Sequence, residues 1–150
     1  MQTKKFNVLL AEDNPVSAKS IMHIFSKLHC NMLWVKNGKE AVEAVKAIDD
    51  SQPEDRFHLI LMDLEMPVMN GFDAALAIRS HEYRLMLQNT HSVYYSIPIV
   101  VVTGERHLVE CGQDLFIGVK KIVYKPLTVN IAEEILQTIV VQKNEETNHH

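Results

Sequence analysis

Five short apolar runs, each too short for a helix and most of them closed by a charged or hydroxyl residue, recur through this chain. They are Phe6 to Ala11 before Glu12-Asp13, Asn31 to Val35, Leu59 to Met62 before Asp63, Ile97 to Val102 before Thr103, and Ile122 to Tyr124 before Lys125. Between them the apolar residues take helical spacing, as in Ala18, Ile21, Met22, Phe25 and Leu28, then Ala41, Val42, Val45 and Ile48. Strand and helix therefore alternate five times. With right-handed crossovers this predicts an α/β domain, a doubly wound five-stranded parallel sheet with helices on both faces. The fourth run is almost wholly apolar, as a central strand covered on both sides must be.

Local signals place the boundaries. Asn14 is a good N-cap and Pro15 a good first helical residue, so the first helix starts there and is expected to end near Cys30. Asn37-Gly38 turns the chain into the second helix, Asp49 to Arg56 is a polar loop, and Pro67 to Gly71 is a turn before a helix from about Phe72 to Ser80 or beyond. The segment His81 to Ser96 is long for a connection. Its Tyr83, Leu85, Met86, Leu87, Tyr94 and Tyr95 favour a helix extension with its own apolar cover over a partner-docking role. A weaker helix is expected over Glu105 to Phe116. Pro126 forces a turn, and Thr128 caps a last helix with Ile131, Ile135, Leu136 and Ile139 on its inner side. Residues 1–143 are expected to form the domain, and 144–150 a disordered polar tail whose two terminal histidines are an expression remnant.

Composition narrows the setting. The chain of 150 residues is the size of one domain, with 47% hydrophobic and 23% charged residues, as in a globular protein that buries a real core. A formal net charge of -4 offers no basic field for nucleic acid. Two cysteines, Cys30 and Cys111, are too few for a disulfide scaffold and are read as buried thiols in a reducing compartment. No run approaches the length of a membrane span, and the start is unlike a signal peptide, so the chain is expected in the cytoplasm, alone or as part of a membrane-tethered protein. The six histidines from His23 to His107 lack metal-ligand spacing, and Trp34 is read as core.

In an open parallel sheet the C-terminal strand ends border the ligand crevice. Glu12, Asp13, Asp63, Thr103 and Lys125 would meet there. Two like charges at about 4 Å repel by roughly 4 kcal/mol at an effective dielectric of 20, so three ionised carboxylates need a cation. Magnesium suits them, since it takes oxygen ligands and commonly combines one or two carboxylates with a phosphate. For Glu12-Asp13 alone, ordinary helix N-terminal charge would be sufficient explanation. Asp63 and Lys125 at neighbouring strand ends make it insufficient.

These residues resemble the receiver domain of two-component response regulators. The blocks that carry the resemblance are Val8 to Asn14, Leu61 to Gly71, Val102-Thr103-Gly104 and Tyr124-Lys125-Pro126-Leu127, and in style they look most like receivers of hybrid kinases and multistep phosphorelays. The resemblance implies a flavodoxin-like fold and a phosphoacceptor module, not an enzyme acting on other substrates, in which Asp63 takes a phosphoryl group from a phosphohistidine. It implies a magnesium ion bound by Asp13 and Asp63, by Glu12 mainly through water, and by the main-chain carbonyl of Glu65. Lys125, and Thr103 with the Gly104 amide, would hold the other phosphoryl oxygens, while Glu65 and Glu105 resemble positions that tune phosphoryl lifetime. The partner implied is a histidine kinase or histidine-phosphotransfer protein, with the domain a monomer or a weak phosphorylation-dependent dimer, and the responding surface that of the fourth helix, fifth strand and fifth helix.

Departures are equally plain. Ile122 stands where the family often has an aromatic switch residue, Gly104 where Ala is commoner, and Lys120-Lys121 where an acidic pair is common. Three other functions fit less well. An aspartyl-nucleophile phosphatase could use Glu65 as its second acid, but Met66-Pro67 does not match it. Flavin binding needs a first loop that cradles phosphate, and this one is acidic. A receiver-like interaction module that is never phosphorylated usually lacks an acid, the Asp or the Lys, and none is lost here.

Overall fold

The computed structural model describes residues 5–48, 53–88, 96–104 and 118–148, with side chains of the last helix as far as Val140. In chain order the elements are β1 (Phe6–Ala11), α1 (Pro15–Lys27), β2 (Cys30–Val35), α2 (Gly38–Lys46), a 3-10 turn (Pro53–Asp55), β3 (Leu59–Met62), α3 (Gly71–Gln88), β4 (Ile99–Thr103), β5 (Lys121–Tyr124) and α4 (Val129–Asn148). All neighbouring strands pair parallel in the order β2-β1-β3-β4-β5. This is the flavodoxin-like order, whose direction of winding reverses between β1 and β3. The expected fold class is thus the observed one. The weaker helix expected over Glu105 to Phe116 lies outside the described residues, as do Glu105 and Cys111.

Strand alternation divides the core. Val8, Leu10, Leu59, Leu61, Val100 and Val102 pack with Ala18, Ile21 and Phe25 of α1 and with Ala132, Ile135 and Ile139 of α4. Leu9, Ala11, Ile60, Met62 and Ile99 face the other way, onto Ala41, Val42 and Val45 of α2 and Ala74, Ala75 and Ile78 of α3. A third group, Leu64 and Val101 with Phe72, Val119, Ile122 and Tyr124, lies between β3, β4 and β5. Successive residues point to opposite faces, so a strand apolar at every position belongs between two helical layers.

Several boundaries differ from the sequence reading. The first helix stops at Lys27, because His29 takes a left-handed conformation (φ 64°) and the amides of Leu28 and His29 bond back to the carbonyls of Phe25 and Ser26. Cys30, expected at the helix end, instead begins β2 opposite Phe6. Residues 81–88 continue α3, as preferred for that segment, while 89–95 lie outside the described residues. The backbone of α4 stays helical to Asn148, so the tail expected from 144 is helical through most of its length.

A buried ion pair explains the length of α3. Glu82 is 5% exposed, pairs with Arg79 and accepts the Ile97 amide at 2.8 Å. Arg79 also donates to the carbonyls of Ile97 (2.8 Å) and Gly118 (2.7 Å). The second half of α3 is thereby tied to the segments leading into β4 and β5. Gly118 has φ 98°, and the Arg79 side chain lies where its Cβ would be.

Candidate functional site

Four strand ends deliver the site. The β1 end carries Glu12 and Asp13, and Asn14 then caps α1, its side chain accepting the amides of Val16 and Ser17. The β3 end carries Asp63, whose amide donates to the Ala11 carbonyl at 3.0 Å, so the two acid-bearing ends are locked side by side. The β4 end carries Thr103, and the Lys125 amide donates to its carbonyl at 2.9 Å. Lys125 precedes Pro126 in a cis peptide. Its ammonium turns in over the sheet edge, 2.7 Å from Glu12 Oε2 and 3.2 Å from Asp63 Oδ2.

The acids differ in setting. Glu12 is 1% exposed and Asp63 8%, whereas Asp13 is exposed. Glu12 Oε1 accepts the Asn14 amide at 3.1 Å, and Asp63 Oδ1 accepts the Leu64 amide at 2.8 Å. One carboxylate oxygen from each of Glu12, Asp13 and Asp63 lies within 4.8 Å of the others. Burial is the main influence on Glu12 and pushes its carboxyl above the ordinary range; the Lys125 hydrogen bond opposes this and the Asp63 charge adds to it. For Lys125, burial alone would lower the ammonium, yet the Glu12 hydrogen bond and the Asp63 and Glu12 charges outweigh it and hold it above its usual value. Three carboxylates here face the Lys125 ammonium, an excess of negative charge. A divalent cation relieves that excess, and the all-oxygen donor set, with exposed Asp13 leaving room for retained water, fits magnesium.

The acids and Lys125 open onto a cleft of about 740 Å³ lined by Asn14, Glu65, Met66, Pro67, Asn70 and Gly104 in addition. Of the seven residues that the sequence places together, Glu12, Asp13, Asp63, Glu65, Gly104 and Lys125 line the cleft. Thr103 is close by but wholly buried at the end of β4, without lining the cleft. Ile122 packs in the group with Val101 and Tyr124, away from the cleft. Two glycines permit close backbone approaches next to the cleft-lining residues: a Cβ on Gly71 would fall 2.1 Å from the Asp63 carbonyl oxygen, and one on Gly38 2.4 Å from that of Met69.

Sequence reading missed Asn70 and Trp34. Asn70 lines the cleft and caps α3, its side chain accepting the Asp73 amide at 2.9 Å; its place four residues after Met66 in a helix-starting turn was the available signal. Trp34 is only half buried, and its indole Nε1–H donates to the Glu12 carbonyl at 2.7 Å. Nothing local in the sequence distinguishes that from a core tryptophan.

The profile of the response regulator receiver domain family matches residues 8–139. A peroxide stress-activated histidine kinase of Schizosaccharomyces pombe is 32% identical over 146 residues, covering 96% of this chain and 8% of that protein. A hybrid signal transduction histidine kinase of Dictyostelium discoideum is 31% identical over 138 residues, 92% of this chain and 5% of that protein. The chain thus spans a small part of these relatives. Among solved structures, the receiver domain of a Pseudomonas aeruginosa sensor histidine kinase, with magnesium coordinated in its active-site cleft, aligns with a TM-score of 0.70 at 25% identity over 91% of this chain and 98% of that one.

Proposed function

This chain belongs to the response regulator receiver domain family, and on that premise we propose that Asp63 is its phosphoacceptor and that a histidine kinase or histidine-phosphotransfer protein is its donor. One observation carries the assignment: the Asp63 carboxylate projects from the β3 end beside the switch point, 3.2 Å from the Lys125 ammonium and in reach of the Glu12 and Asp13 carboxylates. An oxygen of Asp63 attacks phosphorus, the P–N bond to the donor imidazole breaks, and the imidazole nitrogen keeps the bonding pair. The product is an aspartyl phosphate. Because the transition state is loose, the domain's own work is alignment and charge neutralisation.

Glu12, Asp13, Asp63 and the Glu65 main-chain carbonyl would hold magnesium, which supplies positive charge to the equatorial phosphoryl oxygens. Lys125, already protonated and pointed at Asp63, neutralises a second oxygen. The Thr103 hydroxyl with the Gly104 amide serves a third, and since Thr103 is buried, phosphorylation must draw the end of β4 toward the cleft. That displacement biases the β5 and α4 surface, with loop movement rather than ring rotation as its driver because Ile122 replaces an aromatic residue. The domain catalyses its own phosphorylation and dephosphorylation, with Glu65 and Glu105 governing water access.

Intact-mass measurement after incubation with magnesium and acetyl phosphate tests the assignment. The parent should gain one phosphate and Asp63→Asn none. Equal labelling of the Asn variant refutes it.

A further inference from the structure

The turn that joins β2 to α2 carries no acid, hydroxyl or lysine of the site, yet it touches both loops that do. Val35 accepts the Glu12 amide at 3.0 Å, Trp34 Nε1–H donates to the Glu12 carbonyl at 2.7 Å, and the Gly38 amide donates to the Met69 carbonyl at 3.0 Å. Glu12 is therefore held from β2 at both its amide and its carbonyl. The carbonyl matters more, because it belongs to the peptide that joins Glu12 to Asp13.

A peptide is planar, so fixing its oxygen fixes the plane and with it the position of the next Cα. Asp13 needs such help. It is exposed, no packing orients it, and among the described residues no side-chain hydrogen bond holds its carboxylate. Buried Glu12, by contrast, is oriented by Lys125 and the Asn14 amide. Only the backbone can aim Asp13 at the point shared with Glu12 and Asp63. The half-buried indole ring anchors on the β-sheet core, and the Lys36 ammonium lies 5.8 Å from the ring centroid.

We propose that Trp34 is a positioning residue for the metal-binding acids: its indole N–H, by holding the Glu12 carbonyl, sets the direction of the Asp13 carboxylate. The inference rests on the magnesium reading above. It gives Trp34 a role in cation affinity that is separate from its packing.

The wild-type protein supplies the first test, since it has a single Trp. In a magnesium titration of 15N-labelled protein, the indole N–H resonance should shift with the same midpoint as the Glu12 and Asp13 amides. Trp34→Phe keeps a ring and removes the donor. Losing one net hydrogen bond of typical strength should weaken magnesium binding about fivefold. An indole that stays still while the Asp13 amide moves overturns the proposal, as does an unaltered midpoint in the folded Phe variant. If no amide from Glu12 to Asn14 responds to magnesium, the metal reading itself fails and takes this inference with it.

Discussion

Replacing Gly71 by Ala should separate the phosphoacceptor from the helix that follows it. The Gly71 amide donates to the Leu64 carbonyl at 2.9 Å, which closes the loop after β3. A Cβ added at Gly71 would lie 2.1 Å from the Asp63 carbonyl oxygen, 3.0 Å from its carbon and 3.1 Å from the Leu64 Cα, all of them backbone atoms. Ordinary contact starts near 3.4 Å, so more than 1 Å of separation must open. Asp63 cannot supply it, since its amide is bound to Ala11 in the sheet. The start of α3 must therefore move, and with it the cleft-lining Asn70. Overpacking of this kind costs about 1–3 kcal/mol, which in a domain of this size lowers Tm by about 3–10 °C. A displacement of about 1 Å in the cleft wall can slow the reaction by up to about a hundredfold. Thermal unfolding and the rate of phosphorylation by acetyl phosphate, followed by intact mass, measure both. Gly104→Ala is the matched control, because a Cβ there meets nothing within 4 Å; it should keep the parent Tm or raise it. A Gly71→Ala protein with parent Tm and parent rate would show that the loop yields freely and refute the reasoning.

Three further outcomes are expected. Val68, 78% exposed, is a β-branched residue at φ 68°, the centre of a γ-turn in which the Met69 amide donates to the Pro67 carbonyl at 2.7 Å; Val68→Gly should stabilise by about 1 kcal/mol in denaturant titration, since a residue without a Cβ adopts a positive φ at no steric cost. Glu82→Ala should destabilise by about 2–3 kcal/mol, seen as a shift in denaturation midpoint, because it takes the carboxylate from the Arg79 charge and leaves the Ile97 amide without its acceptor. Burial pushes the Cys30 thiol up to about 11, so peptide-resolved alkylation near pH 8 should find about a hundredfold less thiolate there than in the unfolded chain. A raised thiol pKa favours folding below the ordinary thiol range, and that contribution should fade as pH rises through about 11. Alkylation of Cys30 at the unfolded rate would contradict its burial.

Much of this protein was written locally. The β1 and β3 limits, the caps at Asn14 and Thr128, the Asn37-Gly38 turn, and the helical faces of α1, α2 and α4 follow from spacing and capping within a few residues, which is the range over which a helix or strand is determined. The acids and Lys125 were readable for a related reason: in a parallel α/β sheet, a residue's place at a strand end is a statement about sequence, and the fold then gathers all such ends at one edge. Packing decided the rest. Trp34 reaches the Glu12 carbonyl across 22 residues, Arg79 reaches the Gly118 carbonyl across 39, and Gly71 is needed because a carbonyl eight residues earlier occupies the space of its Cβ. Such pairings depend on how two elements lie against each other. Sequence supplied the chemical groups of the site, and the tertiary structure determined their distances, burial and support, because those quantities depend on neighbours that no local signal specifies.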